Sequence, residues 1–453
     1  MAGLSIAHRV ALTALLARCP EIALKAVSAA VAAMGGGRAA ELRMIIAEET
    51  RDRDRRTTVL APLVPMFRER TDGIAAMTFP AQVMPRLWRA ASEREPDLLM
   101  HLDEDEPSVI AVADRFCQTA ATVVRDQPDL VWPPGGDEAV RQKGLADLTA
   151  CLDLAHLARR GLPSLEIWLK RPDGDQIAEL RLLLKDCAGV HVDGAQRVLE
   201  MLFAHLDDAV LILRIVTQTS LAAGREGFLS ESELAGFVDR LIAGVDVRAR
   251  KIEAFKPGAD LEHVGAVIAD LNWCAGVLAE LDVTLTLSPQ SVWGKSVREA
   301  RVTIARRLSG LLRAADKAVE DALPLERVQI AGRMTRKAPR LSAPANGPLV
   351  DAALSLLQLV GSVRGPASTF GCEADRKTLV DALTDRLSDY ADQALRMINE
   401  GEAVDEAHAL GLVELTALCL DHIDADEAAR TVRRRAAVAG APATGSEASS
   451  RAA

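Results

Sequence analysis

Apolar residues recur at intervals of three and four along nearly the whole chain, and this spacing restricts the fold to packed helices. One stretch shows the pattern clearly, with apolar side chains at Leu199, Leu202, Phe203, Leu206, Val210, Leu211 and Leu213. Such spacing places apolar side chains on one face of an α-helix. Aromatic residues make up only 3% of the chain, so aliphatic side chains must fill the core, which favours helix-on-helix packing. The sequence predicts an all-α fold, either a multi-helical array or an irregular helical bundle.

A HEAT-like repeat of stacked helical pairs is one form that this array could take. Pro20 and Pro107 each lie between two predicted helices, and Pro62 falls near the midpoint between them. The implied period of about 40 to 47 residues is typical of HEAT-like solenoids. The chain contains 20 prolines, however, so approximate spacing is weak support. Regular and irregular helical assemblies therefore both remain open.

Turn residues and shifts in composition divide the chain into segments. The turn at 133–136 consists of two prolines and two glycines, and residues 332–347 combine prolines with arginine and lysine. The strand-like stretch Val283 to Leu287 stands alone and cannot form a sheet by itself. We predict an N-terminal helical region (1–132), a central helical region (137–331), a basic linker or loop (332–347), a C-terminal helical region (348–435) and a disordered tail (436–453).

The cysteines indicate the cellular compartment. All seven stand singly in the sequence, at Cys19, Cys117, Cys151, Cys187, Cys274, Cys372 and Cys419. None has the short spacing of a metal or redox motif. A dispersed, odd set is typical of reduced core cysteines, and no run approaches 18 uncharged apolar residues. The sequence predicts a soluble, cytoplasmic protein.

Residues 289–296 imitate a phosphate-binding loop. Gly294, Lys295 and Ser296 follow the strand-like stretch and precede a predicted helix, as in nucleotide-binding proteins. The first glycine of that motif is replaced here by Pro289, which has no N–H and a fixed φ. The pattern therefore predicts a helix start at Ser291, and a degenerate nucleotide-binding loop is the least favoured alternative.

No other group of polar residues forms a complete catalytic or metal-binding set. His101, Asp103, Asp105 and Glu106 are close in sequence, but a solvated acidic turn explains them better than a metal site. We predict no catalytic residue, no metal ligand and no cofactor. The alternative is an all-helical enzyme whose carboxylates come together only in three dimensions.

Positive charge is concentrated between Lys295 and Arg340. This segment contains twelve basic and five acidic residues, within a chain of net charge −10. At about 100° per residue, one helical face carries Lys295, Arg298, Arg306, Arg313 and Lys317, and the opposite face carries Val297, Ile304, Leu308, Leu311 and Ala315. Like charges on one face repel one another unless an anion faces them. The pattern indicates an anion-binding face, a solvated face, or a face neutralised by acidic helices of the same molecule.

From this segment we predict a non-enzymatic helical scaffold or adaptor that binds an acidic protein partner through residues 295–340. An anionic membrane surface ranks second. Nucleic acid ranks last, because the whole chain is acidic and the basic face has no aromatic residues for base stacking. The sequence does not indicate the oligomeric state. The predicted binding residues are Lys295, Arg298, Arg306, Arg313, Lys317, Arg333, Arg336, Lys337 and Arg340.

Overall fold

A computed structural model describes residues 4–17, 19–103, 106–170, 172–219, 226–257, 261–331 and 334–439. Helices account for 77% of the structure, which confirms the predicted all-α, multi-helical fold. The chain forms two compact units, Met1–Val238 and Asp239–Ala453. Their junction falls inside the predicted central region, and the predicted domain limits and HEAT-like repeat stay predictions.

The first unit is built from short and medium helices. They are α1 (Ile6–Leu16), α2 (Glu21–Ala32), α3 (Gly37–Val59), α4 (Val83–Arg94), α5 (Asp97–Met100), α6 (Glu106–Asp126), α7 (Pro128–Val131), α8 (Glu138–Asp153), α9 (Ala155–Gly161), α10 (Leu165–Leu169), α11 (Gly174–Val190), α12 (Gly194–Ala204), α13 (Ile212–Thr219) and α14 (Glu226–Ser230). Side-chain hydrogen bonds to the backbone help to define where some of these helices begin. Asp173 and Gln176 form a reciprocal capping box at the start of α11, with both hydrogen bonds at 2.9 Å.

Aromatic contacts reinforce the aliphatic core of the first unit. Trp88 of α4 stacks on Phe116 of α6, with ring centroids 4.6 Å apart. Phe203 of α12 is buried, and the Arg70 guanidinium lies 4.1 Å from its ring centroid. Trp88 and Phe116 join α4 to α6, and aromatic pairs of this kind add about 0.5 to 1.5 kcal/mol beyond the area they bury. Arg70, which lies outside the helices, joins its loop to α12.

Longer helices and one β-hairpin form the second unit. They are α15 (Ala235–Ala254), which begins just before the junction, α16 (Leu261–Thr284), α17 (Val292–Ala322), β1 (Leu325–Ala331), β2 (Met334–Pro339), α18 (Pro348–Ser362), α19 (Arg364–Thr369), α20 (Glu373–Asn399), α21 (Glu406–His422) and α22 (Asp426–Ala439). α17 packs against α18 and α20, and α20, α21 and α22 all contact one another. Ile304, Leu308, Leu356, Leu387 and Leu412 lie in this core.

One strand of the hairpin in the second unit lies where the sequence predicted a loop, and the other lies in the predicted central helical region. β1 and β2 pair in antiparallel order, and the six residues of β2 fall within the predicted basic linker or loop. The predicted strand-like stretch Val283 to Leu287 is wrong in its first two residues, because α16 continues through Thr284; of the other three, Thr286 forms a single β-bridge. The Thr284 hydroxyl donates to the Glu280 carbonyl at 2.7 Å, which gives this β-branched residue a partner inside the helix.

The C-terminal boundary also differs from its prediction. α22 extends to Ala439, so residues 436–439 are helical and do not belong to a disordered tail. The remainder of the predicted tail, 440–453, lies outside the described residues. Arg430, Arg434 and Arg435 are exposed along this last helix.

α16 combines high apolar content with a charged partner. Among the described residues, Glu262–Thr284 is the one helix long and apolar enough to cross a membrane, judged by length and composition. A core helix of a soluble protein passes the same test. Asp270 in the middle of α16 pairs with Arg248 of α15 at 3.2 Å, and both side chains are largely buried. The helix is therefore joined to its neighbour through a polar contact as well as an apolar face.

The helical content leads to a simple spectroscopic prediction. We expect far-ultraviolet circular dichroism of the purified protein to report well over half helix, against roughly a third for an average globular protein. The physical basis is the long helices α15, α16, α17 and α20. A spectrum dominated by sheet would contradict the architecture.

Candidate basic interface

α17 presents two chemically distinct faces, as its sequence predicted. Its buried side is formed by Val297, Ile304, Leu308, Leu311 and Ala315, all with less than a tenth of their surface exposed. The helix begins at Val292 because the Ser291 hydroxyl caps the Gly294 N–H at 2.9 Å. The opposite side exposes Lys295, Arg298, Arg306, Arg313 and Lys317, which we call the basic stripe.

The basic stripe has little internal compensation. Arg306 lies 3.0 Å from the Glu253 carboxylate, but both side chains are more than half exposed, at 71% and 52%. Exposed pairs of this kind contribute about 0 to 1 kcal/mol. Arg298 and Arg313 donate only to backbone carbonyls, at 3.3 Å in each case. Most of the positive charge of the stripe is therefore available to an external anion.

Two further arginines of α17 do not belong to the stripe. Arg301 donates to the Leu278 carbonyl at 3.0 Å and pairs with Asp282, both at the C-terminal end of α16. Arg307 donates to the Phe255 carbonyl. A cation near the end of a helix also interacts favourably with the carbonyls exposed there. These two residues connect α17 to neighbouring segments, and the stripe consists of the five other cations defined above.

Two of the four acidic residues of α17 pair with an arginine of α20, whereas Glu299 stays exposed beside Arg298. Arg386 of α20 binds Asp316, and it also binds Glu320 at 3.0 Å. Arg386 is separated from these carboxylates by more than sixty residues in sequence. By taking up two acidic side chains of α17, Arg386 leaves the exposed face with an excess of cations.

The hairpin adds cations in a defined register. Arg327 of β1 lies directly opposite Lys337 of β2, and Val328 lies opposite Arg336. Directly opposed residues of an antiparallel pair project from the same face of the sheet, so Arg327 and Lys337 are neighbours. Both are exposed, and neither has a carboxylate partner among the described residues. Sequence reasoning did not single out Arg327, because the hairpin itself was not predicted.

The remaining predicted binding residues differ in their surroundings. Arg336 pairs with Glu402 at 3.2 Å, with both side chains partly exposed, so part of its charge is neutralised. Arg340 is exposed, and its backbone N–H donates to the Pro324 carbonyl at 3.0 Å, closing the base of the hairpin. Arg333 lies outside the described residues.

A buried tyrosine lies beside the base of the hairpin. Tyr390 of α20 is 4% exposed, and its hydroxyl has no hydrogen-bond partner within the described part of the chain. Burial raises the pKa of Tyr390 to about 12, with the Arg340 charge acting against this shift and the Glu326 charge acting with it. β2 packs on α20, and this packing holds the basic hairpin against the helices of the second unit.

The loop that imitates a phosphate-binding motif is a helix cap. A Cβ atom at Gly294 would lie 2.0 Å from the Ser288 carbonyl oxygen, so this glycine allows the loop to fold tightly against the first turn of α17. Ser291 also donates to that carbonyl, at 2.8 Å. Lys295 is exposed one residue further on and belongs to the basic stripe. The predicted helix start at Ser291 is confirmed.

This geometry predicts that ATP and GTP with Mg²⁺ do not bind saturably at micromolar concentration. The segment before the loop is helix α16, whereas a phosphate loop follows a buried strand of a parallel sheet. Isothermal titration calorimetry provides the measurement. A clean binding isotherm that disappears in Lys295→Ala would show instead that the loop is a nucleotide site.

Potential metal ligands are dispersed over the part of the chain that the structure describes. No cluster of three or more His, Cys, Asp or Glu side chains there could hold a metal ion. His101 ends a short helical segment and is exposed, whereas the side chains of 103–107 lie outside the description. Comparison of the chain with protein-family models, curated proteins and solved structures gave no match. The exposed cations of the second unit are therefore the feature that points to a function.

Proposed function

We propose that this protein is a non-enzymatic helical scaffold or adaptor that binds an acidic protein partner through the basic stripe and the hairpin. The supporting observation is a set of five exposed cations along one face of a 31-residue helix. Within the described residues, only Arg306 of these five contacts a carboxylate. A packed helix that holds like charges close together is preorganised to bind an anion.

Charge and shape favour a protein as the partner. The chain as a whole carries a net charge of −10, which opposes long-range attraction to any anion, so binding depends on charges that match the stripe at short range. An acidic patch on a protein is limited in size, so its carboxylates can lie directly opposite the cations of the stripe. The stripe also has no aromatic side chain for base stacking or for insertion into a bilayer interface. Complementary charge of this kind accelerates association and fixes the orientation of the complex.

A cytoplasmic location is part of the proposal. All seven cysteines are free thiols, and six of them are buried. Burial raises the pKa of Cys117 and Cys151 to about 12, so these thiols stay protonated and unreactive near neutral pH. Free buried thiols are typical of proteins from reducing compartments.

Calorimetric titration with poly-L-glutamate tests the proposed chemistry. We expect saturable binding at about 0.1 M salt that is largely lost at about 1 M, where the screening length falls from about 10 Å to about 3 Å. Phosphatidylserine vesicles and duplex DNA serve as parallel titrants. Stronger binding to vesicles or DNA than to the acidic polypeptide would replace the proposed partner class.

A further inference from the structure

A continuous groove runs between α20 and α22. Thr384 and Ser388 of α20 lie across from residues 424–428, at the start of α22, whereas Asn399 of α20 lies across from Val438. The two helices are therefore parallel, and α21 contacts both of them. Two open cavities of about 730 and 980 Å³ follow one another along this groove and meet at Asp392, Thr431 and Arg435.

The two halves of the groove carry opposite charge. The half at the N-terminal end of α22 is lined by Asp392, Asp424, Asp426 and Glu427, with Arg430 and Arg435 as its only cations. The half at the C-terminal end is lined by Arg396, Arg434 and Arg435, with Asp392 as its only acid. An occupant of complementary chemistry must be basic at one end and acidic at the other.

α22 itself has this pattern. Its first turn contains Asp426 and Glu427, and its later turns contain Arg430, Arg433, Arg434 and Arg435. Glu427, Arg430, Arg434 and Val438 are exposed at intervals of three and four, so one face of the helix is accessible. Glu427 and Arg434 have no oppositely charged partner among the described residues.

We propose that α22 of a second copy of this chain binds this face in antiparallel orientation, forming a two-fold symmetric dimer. A two-fold axis between Arg430 and Thr431 places Glu427 of each copy against Arg434 of the other, because both residues are the same number of positions from that point. Interfaces of this isologous kind contain every contact twice. The acidic N-terminal turn of one α22 then lies on the basic half of the groove in the other copy.

The same geometry sets the strength of the dimer. The two Arg430 side chains lie near the axis, where like charges repel each other and limit the affinity. Ion pairs at an open surface are weakened by salt. The dimer is therefore reversible, depends on protein concentration and dissociates as ionic strength rises.

Sedimentation velocity of the full-length protein tests the inference. We expect a concentration-dependent dimer at about 0.1 M salt that is lost at about 1 M. Glu427→Arg alone and Arg434→Glu alone should each weaken dimerisation by about tenfold or more, because each brings like charges together across the axis. Mixing these two variants, or combining both substitutions in one chain, should restore the dimer, because opposite charges then face each other again.

Arg89→Glu on α4 is the matched control, because it reverses an exposed arginine outside both the groove and the basic stripe and should leave dimerisation unchanged. A wild-type protein that stays monomeric at every concentration at low salt would overturn the inference. So would a mixture of the two variants that fails to recover dimerisation. Poly-L-glutamate binding, measured on the same variants, is independent of this outcome, so the dimer and the basic interface can fail separately.

Discussion

Reversing two arginines of the basic stripe, as Arg306→Glu with Arg313→Glu, is expected to remove most of the binding to an acidic polypeptide. The double substitution changes the local charge by about four units without altering the buried face of α17. Because both side chains are exposed, the free energy of unfolding should change by no more than about 0.5 kcal/mol per site. Titration calorimetry measures the binding, and thermal unfolding measures the stability.

A matched control reverses Arg86 and Arg89 of α4, two exposed arginines of the first unit. It makes the same change in total charge, so a purely global electrostatic effect would appear in both double variants. If the stripe variant unfolds, Arg306 and Arg313 are engaged within the molecule and the charge is internally neutralised. If it stays folded and binds as strongly as wild type, the stripe is a solvated surface and the binding site lies elsewhere.

Gly361→Ala should lower the stability of the second unit by about 1 to 3 kcal/mol, the usual cost of overpacking a well-packed core. Gly361 lies near the C-terminal end of α18, where a Cβ atom would come within 2.2 Å of the His422 carbonyl oxygen of α21. The close backbone contact leaves no flexible side chain that could move aside. Chemical denaturation by urea, followed by circular dichroism, measures the loss.

Gly310→Ala is the control for this glycine effect and should change stability in the opposite direction. Gly310 lies in the middle of α17, where a Cβ atom would have no neighbour within 4 Å. Alanine is favoured over glycine inside a helix by about 0.5 to 1 kcal/mol. Equal destabilisation by both substitutions would show that a general sensitivity of the unit to substitution, and not the contact between α18 and α21, determines the result.

The architecture of α17 could be predicted from sequence because all of its determinants are local. Apolar spacing identified its buried side, the same angular reasoning identified the stripe, and Ser291 identified its start. The all-α class followed from the same periodicity along the chain. Whether the stripe binds a partner is a separate question, and it stays a prediction.

The hairpin and the ion pairs of Arg386 could not be predicted from the sequence in the same way. β1 and β2 flank Gly332 and Arg333, and a two-residue connection beginning with glycine is a recognised hairpin signal. The density of prolines and cations in the segment favoured a loop and masked that signal. The pairing of Arg386 with Asp316 and Glu320 joins residues far apart in sequence, so only the packing of α20 on α17 brings them together.

The two-stranded hairpin also bears on the solubility of the protein. Among the residues that the structure describes, each of its strands has one edge with no neighbouring strand, and an exposed edge is a template for pairing with another chain. Positive side chains on such an edge oppose edge-to-edge association, because two copies would bring like charges together. We therefore expect Arg327 and Lys337 to oppose β-sheet aggregation of the folded protein, whatever anion the surface binds. Neutralising both would leave Arg336 as the one exposed cation of the described strand residues, and self-association at high protein concentration should increase.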